Sequence, residues 1–248
     1  MTPRALSNHV FAVVSRYKGK IYGWDVVNEA IVDPPGQGQM NNSQWTEGGE
    51  NLRNAQWVRA IGPEYITMAF KWAHIADPEA LLYYNDYNIE QGAVKNGGKH
   101  AASLVLLKRL IKDGAPINGV GIQGHWHLDS NLQDVEKAIE NYEALGLKIA
   151  ITELDVTSTG GNSGALGRQG GGGAITEENT KKQAEVFGKL FEIFNRHAKS
   201  ITRVTLWGIS DTRSWRGGQG ALLHDGQLNP KPSYKAVMDV GLGKTAAK

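Results

Sequence analysis

The chain contains no cysteine, which excludes disulfide cross-links and thiol chemistry and fits a reducing or an oxidising compartment equally. It has no block of like charges and no basic stripe. With 27 Lys and Arg against 25 Asp and Glu the formal net charge is only +2, so nucleic acid is not an expected partner. No apolar run approaches the length that crosses a bilayer, so no membrane is expected either. Residues 1–20 do not read as a signal peptide, because Arg4, His9, Arg16, Lys18 and Lys20 interrupt every apolar stretch. What is present is a chain of 248 residues, 40% hydrophobic, enough for a sizeable core and the size of one α/β barrel. Residues 1–248 are therefore expected to form a single domain.

Short β-branched runs alternate with longer amphipathic ones. Strands are predicted at 21–28, 81–85, 120–124, 148–153 and 204–209. Helices are predicted at 4–17, 63–76, 98–112, 134–145, 177–197 and 232–240. Pro63 stands at a first helical turn, Gly114 and Pro116 close the third helix, and Glu177 and Glu178 open the fifth. Two long loops interrupt the alternation, at 33–55 and 160–173. The glycines at 170–173 lack the spacing of a phosphate-binding loop and read as a mobile connection. Strand–helix alternation throughout predicts an α/β fold with a parallel sheet.

Two segments carry most of the chemistry, WDVVNEA at 24–30 and ITELDV at 151–156. Each is an apolar run that ends on a glutamate. A strand apolar on both faces that then presents a carboxylate reads as a buried parallel strand with a reactive group at its C-terminal mouth. Glu29 and Glu153 at one mouth would form the carboxylate pair that glycoside hydrolysis uses. The alternative for both is membership of structural ion pairs. His125 and His127 form an HxH pair that could suggest a metal, but no third ligand stands at suitable spacing. No metal or other cofactor is expected. Trp24, Trp57 and Trp72 read as packing residues, Trp45 is open, and Asp25 is either a carboxylate behind the site or a strand-edge ion-pair partner.

The stretches RYKGKIYGWDVVNEA (16–30), ADPEALLYYNDYN (76–88), INGVGIQGH (117–125), ITELDV (151–156) and TLWGISDTRSW (205–215) together resemble the family-10 glycoside hydrolases, the endo-β-1,4-xylanases. The resemblance covers nearly the whole chain. It implies a (β/α) barrel and retaining hydrolysis of internal β-1,4 bonds in xylan, with Glu29 as general acid/base and Glu153 as nucleophile. It also implies that Asn28 binds the sugar 2-hydroxyl and that Asn85 and Tyr87 line the aglycone side, the tyrosine as a stacking surface. Gln123 and His125 would sit beside the carboxylates, with His125 bonded to Glu153 and Asp155 as its partner. Trp207 and Trp215 would wall the cleavage subsite. Such a pair needs carboxyl groups about 5–5.5 Å apart, one protonated and one ionised. A donor from His125 would hold Glu153 ionised and leave the proton on Glu29.

The chain also departs from the family pattern. A family barrel has eight βα units and WDVVNEA belongs to the fourth strand, yet only residues 1–20 precede Ile21. The expected fold is thus an incomplete TIM barrel of about five parallel βα units, without the first three. Its end strands would be apolar edges, an association hazard, with Val26, Val27 and Leu206 poorly covered. A homodimer or higher oligomer would cover them. The alternatives are a fragment of a longer xylanase and a weak or inactive xylan-binding remnant. The family is mostly secreted, which leaves the compartment unknown for a chain that shows no export signal.

Overall fold

The computed structural model describes residues 2–35, 45–159 and 174–243. Helix α1 (Pro3–Arg16) begins on Thr2, whose hydroxyl accepts the Ala5 N–H, and buries Leu6, Val10 and Val14. Strand β1 (Gly23–Asn28) follows, then α2 (Gln56–Ile61), α3 (Tyr65–Ala76) and β2 (Leu81–Asp86). Next come α4 (Gly98–Lys112), β3 (Gly119–Ile122), β4 (His125–His127), α5 (Leu132–Glu143) and β5 (Lys148–Thr157). The order ends with α6 (Glu177–Arg196), β6 (Ile201–Leu206) and α7 (Pro232–Gly241). No helix among the described residues is long and apolar enough to cross a membrane.

Every strand pairing in the sheet is parallel. β1 pairs with β2, β2 with β3, β3 with β5, and β5 with β6. β4 continues the line of β3 after a break at Gln123 and Gly124, where the register against β5 slips from Ile122↔Ile151 to His125↔Asp155. Gly124 sits at φ +79°, which a side chain rarely tolerates, and its carbonyl accepts the Asp155 N–H at 3.2 Å. The five predicted strand lines are therefore present, in six segments. The helices pack on the outer side of the sheet, where Phe70, Leu106, Ile139, Phe187 and Leu190 enclose Leu82, Val120 and Ile149.

Among the described strands β1 and β6 do not pair, so the sheet is open, as expected of an incomplete barrel. Curvature nevertheless brings these two strands within side-chain reach. Asp25 on β1 and Arg203 on β6 form an ion pair at 3.0 Å. Tyr83 on β2 meets Thr202 through its hydroxyl at 2.9 Å, and the Arg203 guanidinium lies 5.2 Å from the Tyr83 ring. Val27 is buried, while Val26 and Leu206 are half-buried.

Several boundaries differ from the sequence expectation. The last strand spans 201–206 rather than 204–209, because Gly208 at φ +144° turns the chain out of the sheet. Pro63 lies before α3, whose first turn starts behind Glu64. α2 was not expected; it has no side-chain cap and buries no residue, so it leaves little trace in the pattern. Of the 33–55 loop, residues 45–55 run back against the chain after β1 through an Ile31↔Leu52 bridge, and 36–44 lie outside the described residues. The glycine-rich stretch at 160–173 also lies outside them.

Close packing across the sheet gives one stability prediction. A Cβ added at Gly119 would stand 2.5 Å from the Tyr83 ring and 2.6 Å from the Lys148 carbonyl. Gly119→Ala is expected to cost about 1–3 kcal/mol of unfolding free energy. Equilibrium urea denaturation checks this, and an unchanged midpoint would contradict the packing described.

Candidate active site

The C-terminal ends of β1, β2, β3 and β5 place their polar residues in one cluster. Glu29 follows β1 directly and adopts φ +55°, a left-handed conformation costly for a residue with a Cβ. Its N–H donates to the Asn85 carbonyl at 2.9 Å, which continues the β1–β2 pairing past the last strand residue. Glu153 lies within β5, with its N–H on the Gln123 carbonyl at 2.8 Å.

Two amides join the carboxylates. Asn85 Nδ2 donates to Glu153 Oε1 at 3.1 Å and to Asn28 Oδ1 at 2.8 Å, while its own Oδ1 accepts the Thr152 hydroxyl at 2.7 Å. Gln123 Nε2 donates to Glu29 Oε1 at 3.0 Å and reaches Asn28 Oδ1 at 3.4 Å. Asn28 Oδ1 is thus occupied as an acceptor, so the exposed side chain of Asn28 presents its Nδ2 as a donor. A sugar hydroxyl can accept that bond.

On the other side of Glu153 stands His125, with Nε2 3.4 Å from Glu153 Oε2 and Nδ1 3.0 Å from Asp155 Oδ2. Asp155 is fully buried and also accepts Trp215 Nε1 at 2.8 Å and Arg216 Nε at 3.1 Å. The Trp215 ring packs edge-on against His125, and the Arg216 guanidinium lies 4.6 Å from the centre of the indole. Burial disfavours a charged imidazole, but hydrogen bonds to Asp155 and Glu153 outweigh it and lift the His125 pKa above its ordinary value of 6.5. Trp207 and Trp215 are 46% and 42% exposed, and of the two Trp215 is the one whose indole bonds the cluster; Trp207 is joined to β5 through its backbone N–H on the Leu154 carbonyl.

The structure therefore gathers Asn28, Glu29, Asn85, Gln123, His125, Glu153 and Asp155 by direct bonds, with Trp215 attached through Asp155. Tyr87 departs from expectation. Its ring is 2% exposed and cannot serve as a sugar-stacking surface in this arrangement. Lys99 Nζ stands 3.5 Å from the ring centre, and the tyrosine hydroxyl donates to Asp33 at 2.7 Å and accepts from Arg53 at 2.5 Å. Asp25, left open by the sequence, is the ion-pair partner of Arg203. Trp24, Trp57 and Trp72 are half-buried against the core, as is Trp45, whose Nε1 donates to Glu47 at 3.3 Å. His127 bonds Ser130 rather than a second histidine.

Sequence reasoning missed Thr152 and Arg216. Thr152 belongs to the ITELDV run itself, where a lone hydroxyl in an apolar strand was the available signal. Arg216 follows Trp215 directly, but nothing in the sequence marks its carboxylate partner.

The profile of glycosyl hydrolase family 10 matches residues 2–240. The endo-1,4-beta-xylanase of Geobacillus stearothermophilus is 38% identical over 243 residues, which are 95% of this chain and 67% of that protein. Endo-1,4-beta-xylanase A of Thermoanaerobacterium saccharolyticum is 37% identical over 241 residues, 94% of this chain but 18% of that protein. The crystal structure of the intracellular xylanase TsXylA from the same organism superposes with a TM-score of 0.79 at 36% identity, covering 95% of this chain and 65% of that one. The chain thus spans about two thirds of the length of that solved relative and about a fifth of the longest of these proteins.

The His125–Asp155 pair gives a prediction with a definite sign. A folded-state pKa above 6.5 means that protonated His125 adds stability that is fully present below pH 6.5 and is lost as pH rises through the folded value. Asp155→Asn should lower the His125 pKa and flatten that part of the stability profile. NMR titration of the imidazole checks it, and an unmoved pKa would contradict the assignment.

Proposed function

The chain belongs to glycosyl hydrolase family 10, and on that premise we propose that it hydrolyses internal β-1,4-xylosidic bonds of xylan with retention. Glu29 is the general acid/base and Glu153 the nucleophile in this reading. The observation that carries it is the pair of amides, Asn85 and Gln123, that tie both glutamates into one hydrogen-bonded cluster at the sheet's C-terminal edge. Structural glutamates would be neutralised by a cation. Among the described residues Glu153 has only His125 as an ionic partner, and Glu29 has a neutral amide.

The chemistry follows from the positions. Glu153 attacks the anomeric carbon while Glu29 gives its proton to the departing glycosidic oxygen, and the glycosidic C–O bond breaks. Glu29, now ionised, takes a proton from water as that water attacks the same carbon and releases Glu153. His125, held by Asp155, faces Glu153 Oε2 and stabilises its carboxylate form both before attack and on release. Asn28 Nδ2 bonds the 2-hydroxyl of the reacting sugar, and Trp207 and Trp215 supply apolar surface for its C–H face. No metal or cofactor enters the scheme.

A second reading, a weak or inactive xylan-binding remnant, is favoured by the open flank between β1 and β6. Reducing-sugar release from soluble xylan separates the two. The proposed enzyme releases sugar, Glu153→Ala abolishes release, and azide restores turnover as a glycosyl azide of inverted configuration. Glu29→Ala should lose far more activity on xylan than on an aryl glycoside with a good leaving group, because protonation helps only a poor one. Equal losses on both substrates would show that Glu29 is not the acid.

The same flank supports the assembly proposal. The half-buried Val26 and Leu206 lie on the two edge strands, which do not pair with each other, and a second copy docked by a two-fold axis would cover both edges in an isologous interface. Residues 1–248 act in this proposal as one catalytic domain per subunit. Sedimentation at micromolar concentration should give at least twice the 27.0 kDa chain mass. A clean monomer with a cooperative melt would refute it.

A further inference from the structure

Behind the Glu29 turn lies a second polar cluster that the reaction scheme leaves unused. Lys99, the second residue of α4, has a side chain with no exposure at all. Its Nζ lies 2.9 Å from Asp86 Oδ1 and 3.2 Å from Asp33 Oδ1, above the buried Tyr87 ring. Asp86, the last residue of β2, is also fully buried. Its carboxylate accepts the Tyr84 hydroxyl, the Tyr87 N–H at 2.9 Å and the Ile31 N–H at 3.3 Å. Ile31 is two residues beyond Glu29.

Arg53 grips the same turn from the opposite side. Its backbone N–H donates to the Ala30 carbonyl at 2.7 Å and its Nε to the Ile31 carbonyl at 3.1 Å. Its Nη2 reaches the Tyr87 hydroxyl, which joins Arg53 to Asp33 and Lys99. Glu29 at φ +55° is therefore followed at once by three backbone groups held by buried or half-buried charged residues. A strained conformation persists only where its surroundings over-determine it.

We propose that Asp86, Lys99 and Arg53 are positioning residues that clamp the turn after β1 and so aim the Glu29 carboxyl at the departing oxygen. None of the three bonds Glu29 or Glu153, so they act through the backbone of residues 30–31. Lys99 is needed because Asp86 is buried. Burial lifts the Asp86 carboxyl above its ordinary value of 3.8, and Lys99 is the largest influence that opposes the rise. An ionised Asp86 can accept all three donors at once.

This inference rests on the acid role given to Glu29, and the test separates the two. Lys99→Met and Arg53→Gln are compared with the unsubstituted chain; Arg53 is half-buried, so its variant is expected to fold even if Lys99→Met does not. On xylan, each variant should lose about tenfold or more in kcat with KM within about twofold. The loss should shrink to about twofold on an aryl glycoside with a good leaving group. Amide hydrogen exchange should accelerate at least tenfold in a peptide covering 28–33, while a peptide covering 149–156 keeps its protection. Equal losses on both substrates, or unchanged kcat, would overturn the clamp. An inactive parent chain would overturn the proposed hydrolysis in favour of the remnant reading, and exchange would still decide the clamp: unchanged or uniformly altered protection overturns it.

Discussion

The buried carboxylate of Asp155 is the constraint on which the candidate site depends. Three donors from two segments converge on its two oxygens: His125 from β4, and Trp215 and Arg216 from the chain after β6. A carboxylate without exposure survives only if its lone pairs are filled and its charge is balanced, and Arg216 supplies the balance. The consequences propagate outward. His125 is fixed in orientation and left with one ring nitrogen facing Glu153, and Trp215 is held upright as a wall. The two-residue spacing of Glu153 and Asp155 in one strand turns a stability requirement into a device for setting His125 against Glu153.

The two carboxylates reach the site by different means. Glu153 sits within β5 where the pairings to β3 and β4 and to β6 both shift register, and its N–H is held by the Gln123 carbonyl. Glu29 stands just past the end of an edge strand, in a left-handed conformation that regular pairing does not supply. Its placement needs the Asn85 carbonyl, the Asp86 carboxylate and Arg53. In the proposed reaction an acid/base at Glu29 would benefit from a rigid backbone and a lightly held side chain, and Gln123 is that side chain's one direct hydrogen-bond partner among the described residues.

The two glutamates were legible because the runs of β1 and β5 are rich in β-branched residues and lead to a carboxylate, and the strands because short apolar runs alternate with longer amphipathic ones. The five strand lines follow from that pattern alone. What escaped has physical causes. β4 is three residues long, and a break at a glycine is indistinguishable from a continuous strand at that length. Arg216 pairs with a carboxylate sixty-one positions away and Lys99 with one sixty-six away, so neither partner is visible locally. The family resemblance implies a sugar platform at Tyr87, which local sequence neither supports nor opposes. Lys99, Arg53 and Asp33, brought from three other segments, close over it instead. Asp86 offered a usable signal: a charge ending the apolar run LLYYND has to be neutralised somewhere.

The central claim is that Glu153 is the nucleophile of a two-step displacement. A 2-deoxy-2-fluoro xylobioside with a good leaving group tests it most directly, because the fluorine slows hydrolysis of the covalent intermediate more than it slows its formation. Intact-mass spectrometry followed by peptide mapping should find one fluoroglycosyl adduct per chain, on Glu153 in the peptide spanning β5. No adduct in a folded, substrate-binding chain, or an adduct on another carboxylate, would contradict the account.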